Sequence, residues 1–219
     1  MPFVGVRMGE SGVHRMVRDL KGFLGYGLDL LRILRLDFKN PHSYTKFRMI
    51  RSVQRKAHCR VLIEAGTYFG ATADRCSRIF DQVYTIELDE RLAEKASDYL
   101  KRRKNVRVMK GDALHILPQL LQREDIGNVL IYLDGHFCGD GTACGIFPEP
   151  AVEELRLLSP YKEKINAVIV DDFRSFGSEE GFPAKSVLLK SAEDCFMDGF
   201  FETTVFLDQL LIVRTRGRG

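Results

Sequence analysis

Residues 60–88 read RVLIEAGTYFGATADRCSRIFDQVYTIEL, and their rhythm decides the fold. A short apolar run at 60–65 ends in Glu64-Ala65, followed by Gly66-Thr67. A helical stretch covers 71–80, and a second apolar run at 82–88 carries Glu87. Runs this short and this apolar suit strands buried on both faces, and a helix between two of them suits a parallel crossover. The alternation continues outward. Further strands are expected at 106–110, 129–134 and 167–172, with helices at 91–103, 114–122 and 152–158 and Asp89 as an N-cap ahead of the first of these. Two β-rich runs at 200–207 and 210–214, parted only by Asp208-Gln209, predict an antiparallel hairpin without the favoured turn glycine. The expected fold is α/β: a doubly wound, mostly parallel seven-stranded sheet with an antiparallel C-terminal hairpin.

The sequence before residue 60 has a different character. Residues 1–60 hold thirteen Lys/Arg against four Asp/Glu, a balance of +9, whereas the remainder carries −6. Apolar residues spaced three and four apart predict an amphipathic helix over 13–36, and Gly22, Gly25 and Gly27 leave open whether it is one helix or two. Asn40-Pro41 breaks the pattern, and a second basic helix is expected over 44–58. The expected division is a basic helical N-terminal extension or cap at 1–59 and a sheet domain at 60–219. The extension can pack on the sheet or cover its site, form a homodimer or substrate cap, or lie on a membrane surface through its leucine-rich helix. Nucleic acid is disfavoured, because no basic motif interleaved with aromatics is present.

A chain that is 45% hydrophobic and 29% charged can fill a sizeable core, which excludes collagen-like and wholly disordered classes. There is no secretory signal pattern and no run of eighteen apolar residues. The five cysteines are odd in number and widely spaced, so a cytoplasmic setting with free thiols is expected, with peripheral membrane contact as an addition. Cys59, Cys76 and Cys195 are expected in or near the core.

In an open α/β sheet, ligands bind beyond the carboxyl ends of the strands. An acid stands at all five successive strand ends. Glu64 is followed by Gly66, Thr67 and Gly70; Glu87 ends the second run. Asp112 lies in Gly111-Asp112-Ala113, Asp134 in Asp134-Gly135-His136, and Asp171-Asp172 ends the fifth. Without a ligand, the same acids read as helix N-caps and solvated loop carboxylates. A nicotinamide-dinucleotide fingerprint would want glycine where Glu64 stands. His136, Cys138 and Cys144 lack an obvious fourth ligand for zinc.

The stretch from about residue 60 to residue 214 resembles the class I S-adenosylmethionine-dependent methyltransferases. The motif E-A-G-T-x-x-G at 64–70 resembles their glycine loop, which wraps the methionine part of the cofactor. By that resemblance Glu87 is the acidic ribose ligand, Asp112 with Ala113 meets the adenine, and Asp134 borders the cofactor. The acids at the fourth and fifth strand ends resemble those of metal-dependent small-molecule O-methyltransferases. Asp134, Asp171 and Asp172 would then hold Mg²⁺, because three converging carboxylates repel one another unless a cation sits among them. The catechol type has a lysine shortly after the fourth-strand aspartate; this sequence has none, and His136 is the nearest candidate base, with Asp134 beside it. The phrases LDGHFCGDGT at 133–142 and VIVDDFRSF at 168–176 also resemble a bacterial group with LDGHYSGG- and IDDAR-type motifs. The resemblance implies methyl transfer to oxygen on a small-molecule acceptor such as a sugar or secondary metabolite. The alternative is a non-catalytic module of the same fold that binds a partner or membrane through its basic helices.

Overall fold

In a computed structural model, which describes residues 12–34, 42–135, 147–196 and 199–215, seven strands form one sheet. They are β1 (Val61–Ala65), β2 (Gln82–Glu87), β3 (Val106–Lys110), β4 (Val129–Leu133), β5 (Ile165–Val170), β6 (Phe201–Phe206) and β7 (Gln209–Arg214). The spatial order is β3-β2-β1-β4-β5-β7-β6. β1 to β5 are mutually parallel, and β7 enters antiparallel between β5 and β6. Each expected strand is present within about two residues. Every residue of β1 and β4 is buried, as continuous apolar runs require in the middle of a two-faced sheet, whereas the edge strands β3 and β6 are largely wet.

The helices are α1 (Gly12–Leu34), α2 (Ser43–Ala57), α3 (Ala71–Cys76), α4 (Glu90–Leu100), α5 (Ala113–Gln122), α6 (Ala151–Leu158) and α7 (Lys185–Phe196), with a 3₁₀ segment at Ser159–Lys164. Asp89 caps α4 as expected, accepting from Arg91 N (2.9 Å) and Leu92 N (3.1 Å). Successive strand residues point to opposite faces, so two cores form. Val61, Ile63, Ile131 and Leu133 pack with α5, α6 and α7 on one face. On the other, Leu62, Leu130, Tyr132 and Ile169 pack with Phe47, Ile50 and Val53 of α2 and with Ala73 and Cys76 of α3. The second basic helix is thus built into the sheet's own core. Cys59, Cys76 and Cys195 are free and buried, as expected.

α1 is one helix of 23 residues. Its glycines allow close approach instead of breaking it: a Cβ at Gly25 would lie 2.9 Å from the His42 ring, and one at Gly22 would lie 3.2 Å from Tyr44 Cβ. The C-terminal turn is Leu207-Asp208, one residue earlier than expected, with Leu207 at φ +53°. Asp208 fixes it, accepting from Arg174 N (2.8 Å) while its backbone carbonyl accepts from Phe173 N (2.9 Å). α7 escapes the sequence pattern because Val187, Leu188 and Leu189 run consecutively around the helix; only Leu188, with Ala192, Cys195 and Phe196, makes its buried stripe.

Candidate functional site

β1 runs into Gly66 at φ +95°, and a Cβ there would stand 2.2 Å from the Asp134 carbonyl oxygen. Only glycine lets the ends of β1 and β4 pass at that distance. Gly66 N and Thr67 N both donate to Ile86 O (3.0 and 3.2 Å), which ties the loop to the end of β2. Gly70, at φ +75°, then caps α3. Glu87 braces the loop from below, accepting from Tyr68 N (2.8 Å) and Asp89 N (2.9 Å) on separate oxygens. Each oxygen keeps a second lone pair, which suits a pair of sugar hydroxyls.

Glu64 is buried and accepts from Thr85 Oγ1 (2.6 Å), which is in turn 2.6 Å from Thr67 Oγ1. Burial raises its pKa to about 8; Glu87 adds to the rise and the Thr85 hydrogen bond opposes it. Asp112 caps α5 through Leu114 N (2.9 Å), with Ala113 as the first helical residue, so its ligand-free capping role is present. A left-handed loop, a half-used carboxylate and a protonatable buried acid fit S-adenosylmethionine, a sulfonium cation carrying a ribose and an amino acid.

At the other strand ends, Asp134 N donates to Ala65 O (2.9 Å) and Asp171 N to Leu133 O (3.0 Å), continuing the parallel ladder past β1, β4 and β5. Asp134, Asp171 and Asp172 do converge. The cation among them is Lys46, from the first turn of α2. Lys46 Nζ lies 2.7 Å from Asp171 Oδ2 and 3.0 Å from Asp172 Oδ1. Burial works against its charge, but Asp171, Asp134 and Asp172 together hold its pKa well above the usual lysine value. Burial, then Asp171, pushes the Asp134 carboxyl well above the ordinary range, against the pull of Lys46. Asp172, at φ +50°, is lowered despite burial, because Lys46 and Arg174 favour its charged form.

The donor set does not fit Mg²⁺ as arranged. Asp171 Oδ2 accepts from the Tyr132 hydroxyl and pairs with Lys46; Oδ1 accepts from Asp172 N (2.9 Å) and Gln209 Nε2 (3.2 Å). Two lone pairs per oxygen are thereby filled. Asp172 Oδ1 is shared by Lys46 and Arg174 Nη1 (2.9 Å). Among the described residues no group of three His, Cys, Asp or Glu is arranged to hold a metal. His136, Cys138 and Cys144 lie outside the described residues. Lys46, Arg174, Tyr132 and Gln209 were missed from the sequence. Lys46 reaches the site from a segment with no strand-end motif, so the search for a lysine near Asp134 could not find it.

No protein-family description matches the sequence, and no curated protein matches it significantly. Solved structures do. The O-methyltransferase TomG of Streptomyces achromogenes, involved in tomaymycin synthesis and solved with S-adenosylmethionine, superposes with a TM-score of 0.56 at 17% identity, covering 79% of this chain and 81% of that one. An O-methyltransferase from Bacillus cereus, in complex with SAH (S-adenosylhomocysteine), gives 0.56 at 17%, over 78% and 81%. The SAH-bound methyltransferase PaMTH1 of Podospora anserina gives 0.57 at 14%, over 99% of this chain and 98% of that one. The last match takes in the N-terminal helices as well as the sheet. With its strand order, inserted β7 and glycine turn after β1, this chain has the fold of the class I S-adenosylmethionine-dependent methyltransferases.

Proposed function

We propose that the protein is an S-adenosylmethionine-dependent methyltransferase acting on an oxygen of a small hydroxylated acceptor, such as a sugar or secondary metabolite. The observation that carries this reading is the backbone contact of Gly66 with Asp134. It sets the cofactor loop directly against an acid able to serve the acceptor. Bound S-adenosylmethionine supplies a methyl group on a positively charged sulfur. In this reading Gly66, Thr67 and Gly70 close the backbone around the methionine part, with Glu64 beneath them. Glu87 holds the ribose hydroxyls, and Asp112 and Ala113 border the adenine. Asp134 takes the proton that the acceptor hydroxyl loses as its oxygen gains the methyl group. His136 is the second candidate for that proton.

The test is cofactor binding by calorimetry in the wild type and in Glu87→Ala. Losing a charged acceptor for two hydroxyls removes about 1.5–3 kcal/mol, a weakening of about tenfold or more. Glu87→Gln, which keeps one acceptor oxygen, should fall between. Wild-type protein that binds no S-adenosylmethionine sinks the reading.

The outward face of α1 supports a second element: contact with an anionic bilayer. Met16, Val17, Leu20, Phe23, Leu24, Leu28, Leu30, Leu31 and Leu34 are 42–80% exposed. Both acids of the helix, Asp19 and Asp29, are bonded inward, which leaves Lys21 as the described charge on the outer side. An apolar stripe whose described outer charge is positive complements anionic lipid headgroups. No described helix is long and apolar enough to cross a membrane, so the contact is with the surface.

A further inference from the structure

We propose that Lys46 is the resident cation of the acceptor side, holding by its ammonium the place a divalent ion would take, so that this site works without a metal. The proposal rests on the methyltransferase reading for its catalytic half and on geometry alone for its cation half.

The geometry has three parts. First, the ammonium sits between Asp171 and Asp172 at hydrogen-bond distance from both, and its side chain is only 17% exposed. Second, Asp171 has no lone pair left over. Tyr132, Gln209 and the Asp172 amide saturate it together with Lys46, so an incoming metal would have to expel a like-charged group and break neutral bonds as well. Third, Lys46 is itself held. Asp29 of α1 accepts from His42 N (2.7 Å), lies 2.7 Å from His42 Nδ1 and accepts from the Thr45 hydroxyl. Those bonds fix the first turn of α2 on either side of Ser43 and set the residue that follows Thr45.

An ammonium carries three N–H groups, and two are accounted for by Asp171 and Asp172. The third can donate to the acceptor oxygen, orienting it and stabilising the charge that develops as its proton leaves for Asp134. Lys46 forms no covalent bond in this scheme and gives up no proton. This places a catalytic contact in the segment that the sequence treats as an extension, and it assigns the α1–α2 junction a positioning role through Asp29.

The experiment titrates full-length protein with Mn²⁺, read by electron paramagnetic resonance with Mg²⁺ as competitor. Cofactor affinity and methyl transfer are measured on the same samples. Wild type should bind no Mn²⁺ up to about 1 mM, and transfer should be indifferent to EDTA. Lys46→Ala empties the place: it should gain a single Mn²⁺ site of about 0.1 mM or tighter, lost again when Asp171→Asn is added. Its transfer should fall about 100-fold, recover in part with Mn²⁺, and leave S-adenosylmethionine affinity within about twofold. Should Lys46→Ala melt without a cooperative transition, Lys46→Ser, which leaves the same place empty and is tolerated in the first turn of a helix, replaces it. Three results overturn the proposal: a wild-type Mn²⁺ site displaced by Mg²⁺ and abolished by Asp171→Asn; a folded Lys46 variant that gains no site; or such a variant transferring at the wild-type rate. Absence of cofactor binding in the wild type would instead defeat the methyltransferase reading, and the Mn²⁺ result would still judge the cation.

Discussion

Helices α1 and α2 are neighbours in the chain, basic and amphipathic alike, yet α2 turns its apolar side to the sheet whereas α1 turns its polar side to α2, α3 and α4. α2 buries Phe47, Ile50, Val53 and Ala57 against the strands and leaves Arg48, Arg55 and Lys56 wet. α1 attaches by its polar side, with Phe23 and Tyr26 set edge-on against Tyr44 of α2. Arg18 bonds Asp74 (2.8 Å), Arg15 donates to Tyr99 O (2.8 Å), and Asp29 clamps the start of α2, while the leucines face out. An amphipathic period establishes that a helix has an apolar face; it does not say what covers that face. The inward side of α1 is marked in sequence by something else. Asp19, Gly22, Gly25 and Asp29 fall three and four apart, a line of acids and missing side chains suited to a polar, close-packed contact.

The largest expected contrast between the two helices is in stability. Ile50 has no exposed surface, and Ile50→Ala should cost about 2–5 kcal/mol. Leu24, 62% exposed, should cost less than about 0.5 kcal/mol when changed to Ala. Denaturant melts of the two variants decide the matter. Equal losses would mean that α1 buries its stripe within the folded protein, and the contrast would collapse. Ile50→Ala should also loosen Lys46, one turn away, and lower transfer more than its effect on cofactor affinity.

A smaller contrast lies in pH. Asp74 is fully buried. Burial alone would raise its pKa, but hydrogen bonds from Arg103 and Arg18 outweigh it and hold the value below the ordinary carboxylate range. Asp29 is lowered in the same sense, by Thr45 and His42. A folded value below the unfolded one means stabilisation that is complete above the unfolded pKa of about 4 and is lost as pH falls through the folded value. The attachment of α1 should therefore weaken on acidification, while α2 keeps the non-titrating contacts of Phe47, Ile50 and Val53 even as the Lys46–Asp172 pair at its first turn weakens in the same sense. Pepsin digestion stepped down from about pH 4 should cut α1 before α2. Simultaneous cleavage would show that the two helices leave the sheet as one unit.

Much of this was legible beforehand, and the pattern of what was not is instructive. Strands, the glycine loop and the acids at the strand ends follow from local period and adjacency, so residues 60–134 read directly from sequence. The convergence of Asp134, Asp171 and Asp172 was also legible, because parallel strands place their carboxyl ends side by side. That reading asked for a cation and supplied Mg²⁺. Lys46 was invisible to it, since the lysine is 126 residues from Asp172 in the chain and meets it only because α2 packs on the Tyr132 face of the sheet. Gln209 was hidden for the same reason: the antiparallel insertion of β7 beside β5 brings it to Asp171. Tertiary pairs of this kind leave no mark in spacing. The capping role of Asp112 was among the stated alternatives, and one residue type serves both uses.

The smallest stability effect belongs to the outer face of α1 and tests what covers it. Leu20→Ser, Leu24→Ser and Leu28→Ser combined remove three side chains that are 56–62% exposed, so each should change stability by less than about 0.5 kcal/mol. If the face rests on an anionic bilayer, the same triple variant loses the apolar part of that contact. Each leucine buried in lipid contributes about 1.5–3 kcal/mol when fully covered, so flotation with phosphatidylserine vesicles should drop by well over tenfold while the melt stays in place. Phosphatidylcholine vesicles should capture the wild type less well, and salt should weaken capture slightly by screening Lys21. A wild type that does not float, but elutes as a dimer that the triple variant converts to monomer, would assign the stripe to a second copy of the chain. In either case the leucines would act outside the folded protein, and that is the difference between α1 and α2 reduced to one pair of measurements.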